Sequence, residues 1–168
     1  MSFTIYQAAI PPCIHALSRL SFILEKADND AEARKIDPAV FLSARLAPDM
    51  FALTRQVQIV SDTAKGCGAR LAGLEVPKYP DTETTFPALQ ERIKQTIAYL
   101  QAIDPKAFDG AEDREVVLNT PHGEIRMNGA EYMTKAVLPN LYFHTTTAYD
   151  ILRHNGVALG KRDYLGAP

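Results

Sequence analysis

The chain has 168 residues, of which 46% are hydrophobic and 23% are charged. A typical domain has about 150 residues, so we expect residues 1–168 to form one domain. The 18 Lys and Arg against 20 Asp and Glu give a net charge of −2. No basic block could follow a phosphate backbone, and no apolar run approaches the roughly 18 residues that span a bilayer. We therefore predict neither a nucleic-acid nor a membrane partner.

The ends of the chain and its cysteines predict a cytoplasmic protein. The N-terminal segment lacks the charged region and the continuous apolar region of a signal peptide. The two cysteines, Cys13 and Cys67, both fall on apolar helical stripes, where a free thiol behaves as a small buried hydrophobe.

Apolar spacing predicts two long helices in the first half of the chain. The first stripe starts at Ile10, and we expect its main helix to begin at Pro11 and Pro12, with room for a short helical lead-in, and to end over 28–30. A short helix or turn follows over 38–46. The second long helix is expected to open at Pro48 and to close at Gly73.

The second half predicts two more helices and a hairpin. A third helix over 85–103 follows a polar, proline-rich connection. Two β-rich runs then predict a hairpin over 115–127, with His122 exposed in its turn. The last helix runs from Gly129 to Asn155, and Pro139 should kink it or break its start. Four long amphipathic helices with a small hairpin before the last predict an all-α, four-helix-bundle fold.

Polar residues on the last helix are the best candidates for a site. Helical spacing places Asn140, His144 and Thr147 on one otherwise apolar face. Buried polar groups must be paired, so this trio predicts either a satisfied core network or the floor of a pocket. The four histidines show no local metal-ligand spacing, and the chain lacks nucleotide-binding and acyl-transfer motifs.

Helix two carries two further features. Gly66 and Gly68 flank Cys67, and such small residues let a neighbouring helix or a ligand approach closely; close packing is the favoured interpretation. The carboxylates are scattered, and most are expected on solvated helix faces, Asp62 beside Lys65 and Arg70 among them.

The end of the last helix resembles a known superfamily. The run HTTTAYDILRHNGV over 144–157 is similar to the end of the fourth helix in the DinB/YfiT-like superfamily, with His144, Leu152, Arg153 and Gly156 at the matching steps. Segments 45–66 and 139–166 resemble an uncharacterised bacterial family, a domain of unknown function grouped with that superfamily. The resemblance implies an up-down-down-up four-helix bundle that is often a homodimer.

The resemblance also implies where a metal would lie. In the superfamily, a divalent metal is held by a histidine of the second helix and an HxxxH pair of the fourth. The second member of that pair matches His144, the first falls on Asn140, and the helix-two position falls near Gln56. Amides are poor ligands for nickel, zinc or iron compared with imidazole. The resemblance therefore implies a degenerate site that disfavours a divalent metal, with His144 as the ligand if one binds.

Three functions follow from these residues. We favour a small-molecule-binding module or weak enzyme whose pocket is lined by His144, Asn140, Thr147 and Gln56 and takes a small organic ligand, with His144 as hydrogen-bond donor or general base. The first alternative is a metal-dependent transferase or hydrolase of the thiol-transferring type, and the second is a structural or regulatory homodimer. Whether the chain is an enzyme, and which residues would be catalytic, stays open.

Overall fold

The computed structural model describes residues 3–120 and 123–166, so the predicted exposure of His122 concerns a residue outside these ranges. The protein is mostly helical, and no helix within the ranges is long and apolar enough to cross a membrane. The elements, in chain order, are α1 (Ile5–Arg34), α2 (Pro38–Ser43), α3 (Leu53–Ala72), α4 (Phe86–Ala102), a 3-10 turn (Pro105–Phe108), β1 (Glu115–Thr120), β2 (Gly123–Asn128), α5 (Gly129–Glu131), a π-helical turn (Tyr132–Val137), α6 (Leu138–His154) and α7 (Lys161–Leu165).

Helix α1 is longer at both ends than its sequence predicts. It begins after Thr4, whose hydroxyl accepts from the Gln7 N–H in a capping box, and it continues through Pro11 and Pro12. The expected start at the prolines is therefore wrong for this helix, and so is the expected end over 28–30. Buried apolar residues lie on both sides of the prolines and beyond residue 30, and their packing outweighs the hydrogen bonds that the prolines omit.

The bounds of α3 and α4 agree with the sequence except at one end. Helix α3 starts at Leu53 rather than at Pro48, because the segment before it is closed as a turn by the Leu53 N–H, which donates to the Ala44 carbonyl. Its predicted end at Gly73 is confirmed, and this residue has a left-handed φ of 71°. Helix α4 follows Thr85, whose hydroxyl caps the Ala88 N–H as expected.

The predicted hairpin over 115–127 is confirmed. Strands β1 and β2 pair antiparallel, with Glu115 opposite Asn128 and Val117 opposite Arg126. Val116 is buried against the helices, whereas β2 is largely exposed. The hairpin therefore attaches to the core mainly through β1, with Met127 of β2 packed beside it.

The last long helix is interrupted near the predicted proline. In the π-helical turn, the Leu138 N–H donates to the Met133 carbonyl, five residues back instead of four. Pro139 follows directly as one of the first residues of α6, where its missing N–H is tolerated. The turn is wider than an α-helical turn and holds one extra residue.

The four long helices α1, α3, α4 and α6 enclose the core, and α3 contacts each of the other three. Side-chain contacts show the register between them: Ser61 with Thr96 and Gly68 with Leu100 (α3 and α4), Gln56 with His144, Thr63 with Asn140 and Arg70 with Tyr132 (α3 and the last helix), and Ser21 with Gln90 (α1 and α4).

Candidate functional site

A hydrogen bond between α3 and α6 joins two of the predicted site residues. His144 Nδ1 lies 2.6 Å from Gln56 Oε1. Gln56 is buried, and its Nε2 donates to the Phe51 carbonyl at 2.9 Å. His144 is half-buried, and the Phe143 ring meets its imidazole edge-on at a centroid distance of 5.1 Å. The two positions that the resemblance pairs are thus in direct contact.

These contacts define the state of the His144 ring. Because Gln56 donates through Nε2, its Oε1 accepts, and the hydrogen of neutral His144 lies on Nδ1. Nε2 then carries the lone pair. Burial, and after it the positive charge of Arg55, lower the pKa of His144 below its ordinary value of 6.5. At neutral pH, His144 therefore presents an unprotonated Nε2, which can accept a hydrogen bond or a proton.

The other two predicted residues make separate hydrogen bonds. Asn140 is exposed, and its Nδ2 donates to Thr63 Oγ1 at 2.8 Å. Thr147 is buried, and its hydroxyl donates to the Phe143 carbonyl of its own helix at 2.8 Å. His144 and Asn140 therefore each form a hydrogen bond with α3, one helical turn apart along α6. Neither of them forms a hydrogen bond with Thr147.

A cavity of about 750 Å³ lies beside these contacts, between α3 and the π-helical turn with the start of α6. Asn140 lines it, whereas Gln56, His144 and Thr147 do not. Phe143 contacts both the cavity and the His144 ring. The residues that line the cavity are Arg55, Ile59, Asp62, Thr63, Arg70, Leu118, Tyr132, Lys135, Ala136, Val137, Pro139, Asn140 and Phe143.

Arg70 and Tyr132 form a part-buried polar contact in the lining of the cavity. Arg70 Nη1 donates to Tyr132 Oη at 3.1 Å, and Tyr132 is 4% exposed. Burial raises the pKa of Tyr132 to about 12, although the Arg70 charge opposes the shift, so the phenol keeps its proton at neutral pH. The sequence placed Arg70 on a solvated face, and no local pattern links it to a residue of the last helix.

A family model for a domain of unknown function (DUF1993) matches residues 5–165. The chain belongs to this DUF1993 family. A solved structure described as a DinB family member protein from Shewanella denitrificans is 43% identical to it, with a TM-score of 0.90 over 97% of this chain and 92% of that one. Among proteins with curated annotation, none matches. The predicted resemblance to an uncharacterised, DinB-like family is thereby confirmed.

On the α4 side of α3, the DUF1993 chain buries an ionic network. Arg92 is 2% exposed, and its guanidinium donates to Asp62 at 2.8 Å and to Glu83 at 2.9 Å. Lys65, which is also buried, pairs with Asp62 and lies over the Tyr79 ring. The expectation of a solvated face is therefore wrong for Lys65, over which the connection after α3 folds back, whereas the Asp62 side chain remains 36% exposed.

The donor atoms at the three superfamily positions are one imidazole nitrogen and two amide groups. Both ends of the Gln56 amide are engaged, by His144 and by the Phe51 carbonyl, and the Asn140 Nδ2 is engaged by Thr63. Over 3–120 and 123–166, no three residues of the types His, Cys, Asp and Glu are close enough to share a metal ion. His144 Nε2 thus has a lone pair that could ligate a metal, but the matching positions supply no second imidazole.

Proposed function

We propose that this protein is a binding module for a small organic molecule, held between α3 and the last helix. The cavity of about 750 Å³ supports this proposal, because its size lies within the roughly 300–1,000 Å³ of small-molecule sites. Its lining combines apolar side chains, such as Ile59 and Phe143, with a few polar groups that could orient a ligand.

The place of the cavity in the fold also supports this function. The π-helical turn forms one wall, and such turns within α-helices often occur at functional sites. We assign Asn140 to direct contact with the ligand. His144 lies one helical turn further along α6, and its hydrogen bond with Gln56 of α3 would hold α6 against α3, with Nε2 of His144 at the edge of the site as acceptor or weak general base.

We further propose that the site works without a resident divalent metal. Imidazole and thiolate ligands bind nickel, zinc and iron well, whereas neutral amides bind them poorly. Gln56 and Asn140 supply amides at two of the three superfamily positions, and Gln56 is fully engaged by other groups. This donor chemistry supports ligand binding by the side chains alone.

Binding of an uncharged fluorescent dye tests the cavity. We expect phenylnaphthylamine, a neutral diarylamine, to bind the purified protein with increased fluorescence. Ala136→Trp places an indole in the cavity and should abolish the signal, whereas Ala33→Trp, on an exposed part of α1, should leave it unchanged. Circular dichroism would check that both variants fold. Equal dye binding by all three proteins, or none by the unmodified protein, would contradict the proposed site.

Elemental analysis tests the absence of a resident metal. Untagged protein purified without chelators should contain nickel, zinc, iron and manganese well below one ion per chain, and His144→Ala should not change that content. A near-stoichiometric metal that is lost in His144→Ala would instead favour the metal-dependent transferase or hydrolase.

We also infer that the four long helices follow an up-down-down-up order. In the contacting pairs of α3 and α4, the residue numbers of both helices increase together, as parallel neighbours require. In the pairs of α3 and α6, the numbers increase in one helix and decrease in the other, as antiparallel neighbours require. A long connection before α4 suits a parallel pair. Nuclear Overhauser contacts between the start of α4 and the first half of α3 would support this order, and contacts with the second half of α3 would overturn it.

A further inference from the structure

Within 3–120 and 123–166, the charge of Arg70 has no carboxylate partner. In the described part of the chain, no Asp or Glu lies within salt-bridge distance of its guanidinium, whose hydrogen-bond partner is the neutral Tyr132 phenol. The other two cations that line the cavity differ in this respect. Arg55 pairs with Asp81 at 2.6 Å, and Lys135 pairs with Glu131 at 2.7 Å.

We propose that the ligand is an organic anion, whose carboxylate, phosphate or sulfonate group lies against the Arg70 guanidinium and the Tyr132 hydroxyl. This inference rests on the proposed function, since it names the ligand class of the same cavity. An arginine fork binds such oxyanions with charge-assisted hydrogen bonds, which are stronger than those between neutral groups.

The Tyr132 hydroxyl adds a second donor. Its oxygen accepts from Arg70, and the residues that the structure describes supply no acceptor for its proton. Because the phenol is buried and remains protonated, this hydrogen can be donated to a ligand. The two groups therefore form a set of converging donors, which suits an oxyanion and disfavours a cation.

Gly66 makes room for this arrangement. A Cβ atom at Gly66 would lie 2.3 Å from Arg70 Nη1 and 3.8 Å from Tyr132 Oη. The guanidinium therefore occupies the space that a side chain at position 66 would fill. Since Gly66 lies within α3, where glycine weakens a helix relative to alanine, this close approach of the guanidinium is a reason for a glycine at that position.

The remaining lining fits the organic part of such a ligand. Asp62, the carboxylate that lines the cavity, is already paired with Lys65 and Arg92 and so does not cancel the Arg70 charge. Ile59, Leu118 and Phe143 supply apolar surface beside the polar groups. A compact organic acid could place its anionic group against Arg70 and its apolar part against the apolar lining.

Two dyes that share their rings test the charge. Anilinonaphthalene sulfonate carries a sulfonate that phenylnaphthylamine lacks. We expect the unmodified protein to bind the sulfonated dye about tenfold more tightly than the neutral one, as one charge-assisted hydrogen-bonding contact would provide. Arg70→Met should remove this preference and leave the affinity for the neutral dye within about twofold.

Two variants separate the site from overall charge and from folding. Gly66→Ala keeps the net charge but displaces the guanidinium, and it should also remove the preference. Arg153→Met removes the same charge from an exposed position at the end of α6, and this variant should keep the preference for the sulfonated dye. Should Arg70→Met fail to fold, Gly66→Ala measures the same contact.

The outcomes distinguish this inference from the proposed function. Binding of both dyes with no preference for the sulfonate, or a preference that persists in Arg70→Met or Gly66→Ala, overturns the anion site and leaves the small-molecule cavity standing. Binding of neither dye overturns both proposals. A preference that disappears in Arg70→Met and Gly66→Ala but persists in Arg153→Met supports the anion site.

Discussion

Each side of helix α3 has an arginine, and the two arginines differ in how their charges are compensated. On the α4 side, Arg92 is surrounded by carboxylates, with Asp62, Asp81 and Glu83 all within 3.1 Å of its guanidinium. On the α6 side, Arg70 contacts the neutral phenol of Tyr132. Arg92 thus completes its interactions inside the protein, whereas Arg70 keeps a charge that it can offer to a ligand.

This difference separates stabilising charges from binding charges. A buried ion must be paired, and removing one member of a buried pair is costly because the other is left without a partner. A half-buried cation beside a cavity can keep its charge because solvent reaches it, and a ligand anion then replaces that solvent. We therefore expect variants on the Arg92 side to lower stability and variants on the Arg70 side to lower binding.

The largest expected effect comes from Arg92→Met. It leaves Glu83, which is mostly buried, without its main partner, and should lower the free energy of unfolding by about 3 kcal/mol. Arg70→Met removes one hydrogen bond to a neutral group and should cost less than about 1 kcal/mol. Urea unfolding followed by circular dichroism measures both. Equal losses in the two variants would remove the distinction between the arginines.

The two glycines around Cys67 should show the next largest difference. A Cβ at Gly68 would lie 2.6 Å from Leu100 Cδ2 and 2.9 Å from Ile103 Cδ1, inside the core, so Gly68→Ala should destabilise the protein by about 2 kcal/mol. A Cβ at Gly66 meets the mobile end of Arg70 instead, so the stability of Gly66→Ala should stay within about 1 kcal/mol of the unmodified protein.

Thermal and urea unfolding of these two alanine variants provide the measurement. Each serves as the control for the other, since both place the same residue in the same helix. A greater loss of stability in Gly66→Ala than in Gly68→Ala would mean that Arg70 is packed as rigidly as the core.

Acidification should weaken the Arg92 side in particular. Burial raises the pKa of Glu83, but hydrogen bonds from Arg92 and Gln58 outweigh it, and the net pKa lies below the ordinary value of 4.5. The unfolded state therefore binds this proton more readily than the folded state, so stability is present above pH 4.5 and is lost as the pH falls through the folded pKa. The stability difference between Glu83→Gln and the unmodified protein should shrink as the pH falls below 4.5. A difference that stays constant from pH 6 to pH 3, a range of about three units around the ordinary pKa, would contradict the pairing with Arg92.

The smallest expected effect concerns His144, on the α6 side. Its pKa is lowered by burial and by Arg55, so its contribution to stability is present above pH 6.5 and declines as the pH falls from there to the folded pKa. A proton NMR titration of the imidazole should give a midpoint below 6.5, and Arg55→Gln should raise it. A midpoint at or above 6.5 would indicate that burial and the Arg55 charge do not favour the neutral ring.

Much of the fold follows from local patterns. The apolar spacing located the long helices, the glycine at position 73 marked a helix end, and the change of period marked the hairpin. The contact between Gln56 and His144 agrees with positions that family resemblance, rather than spacing, brought together. The prediction that α1 begins at Pro11 and Pro12 is wrong, because burial of residues on both sides of them outweighs the local preference of proline to end a helix.

The candidate site depends on information that the local sequence does not contain. The connection between α3 and α4 brings Asp81 and Glu83 to Arg92 and the Tyr79 ring to Lys65, and helical spacing alone cannot show such neighbours. Among the described residues, Arg70 differs from Arg55 and Lys135, the other two cations of the cavity, in having no carboxylate within salt-bridge distance. The neighbours of this side chain are determined by the tertiary structure, so no local sequence pattern can indicate them.

The π-helical turn has a consequence for the ancestry of the cavity. An α-helix advances by about 100° per residue, so one extra residue offsets the faces of the helix before and after it. A relative that had lost a single codon within Tyr132–Val137 would continue as a regular helix, and a different side chain would face Arg70. One insertion or deletion could therefore exchange the residue beside the guanidinium while leaving α6, with His144 and Asn140, in place.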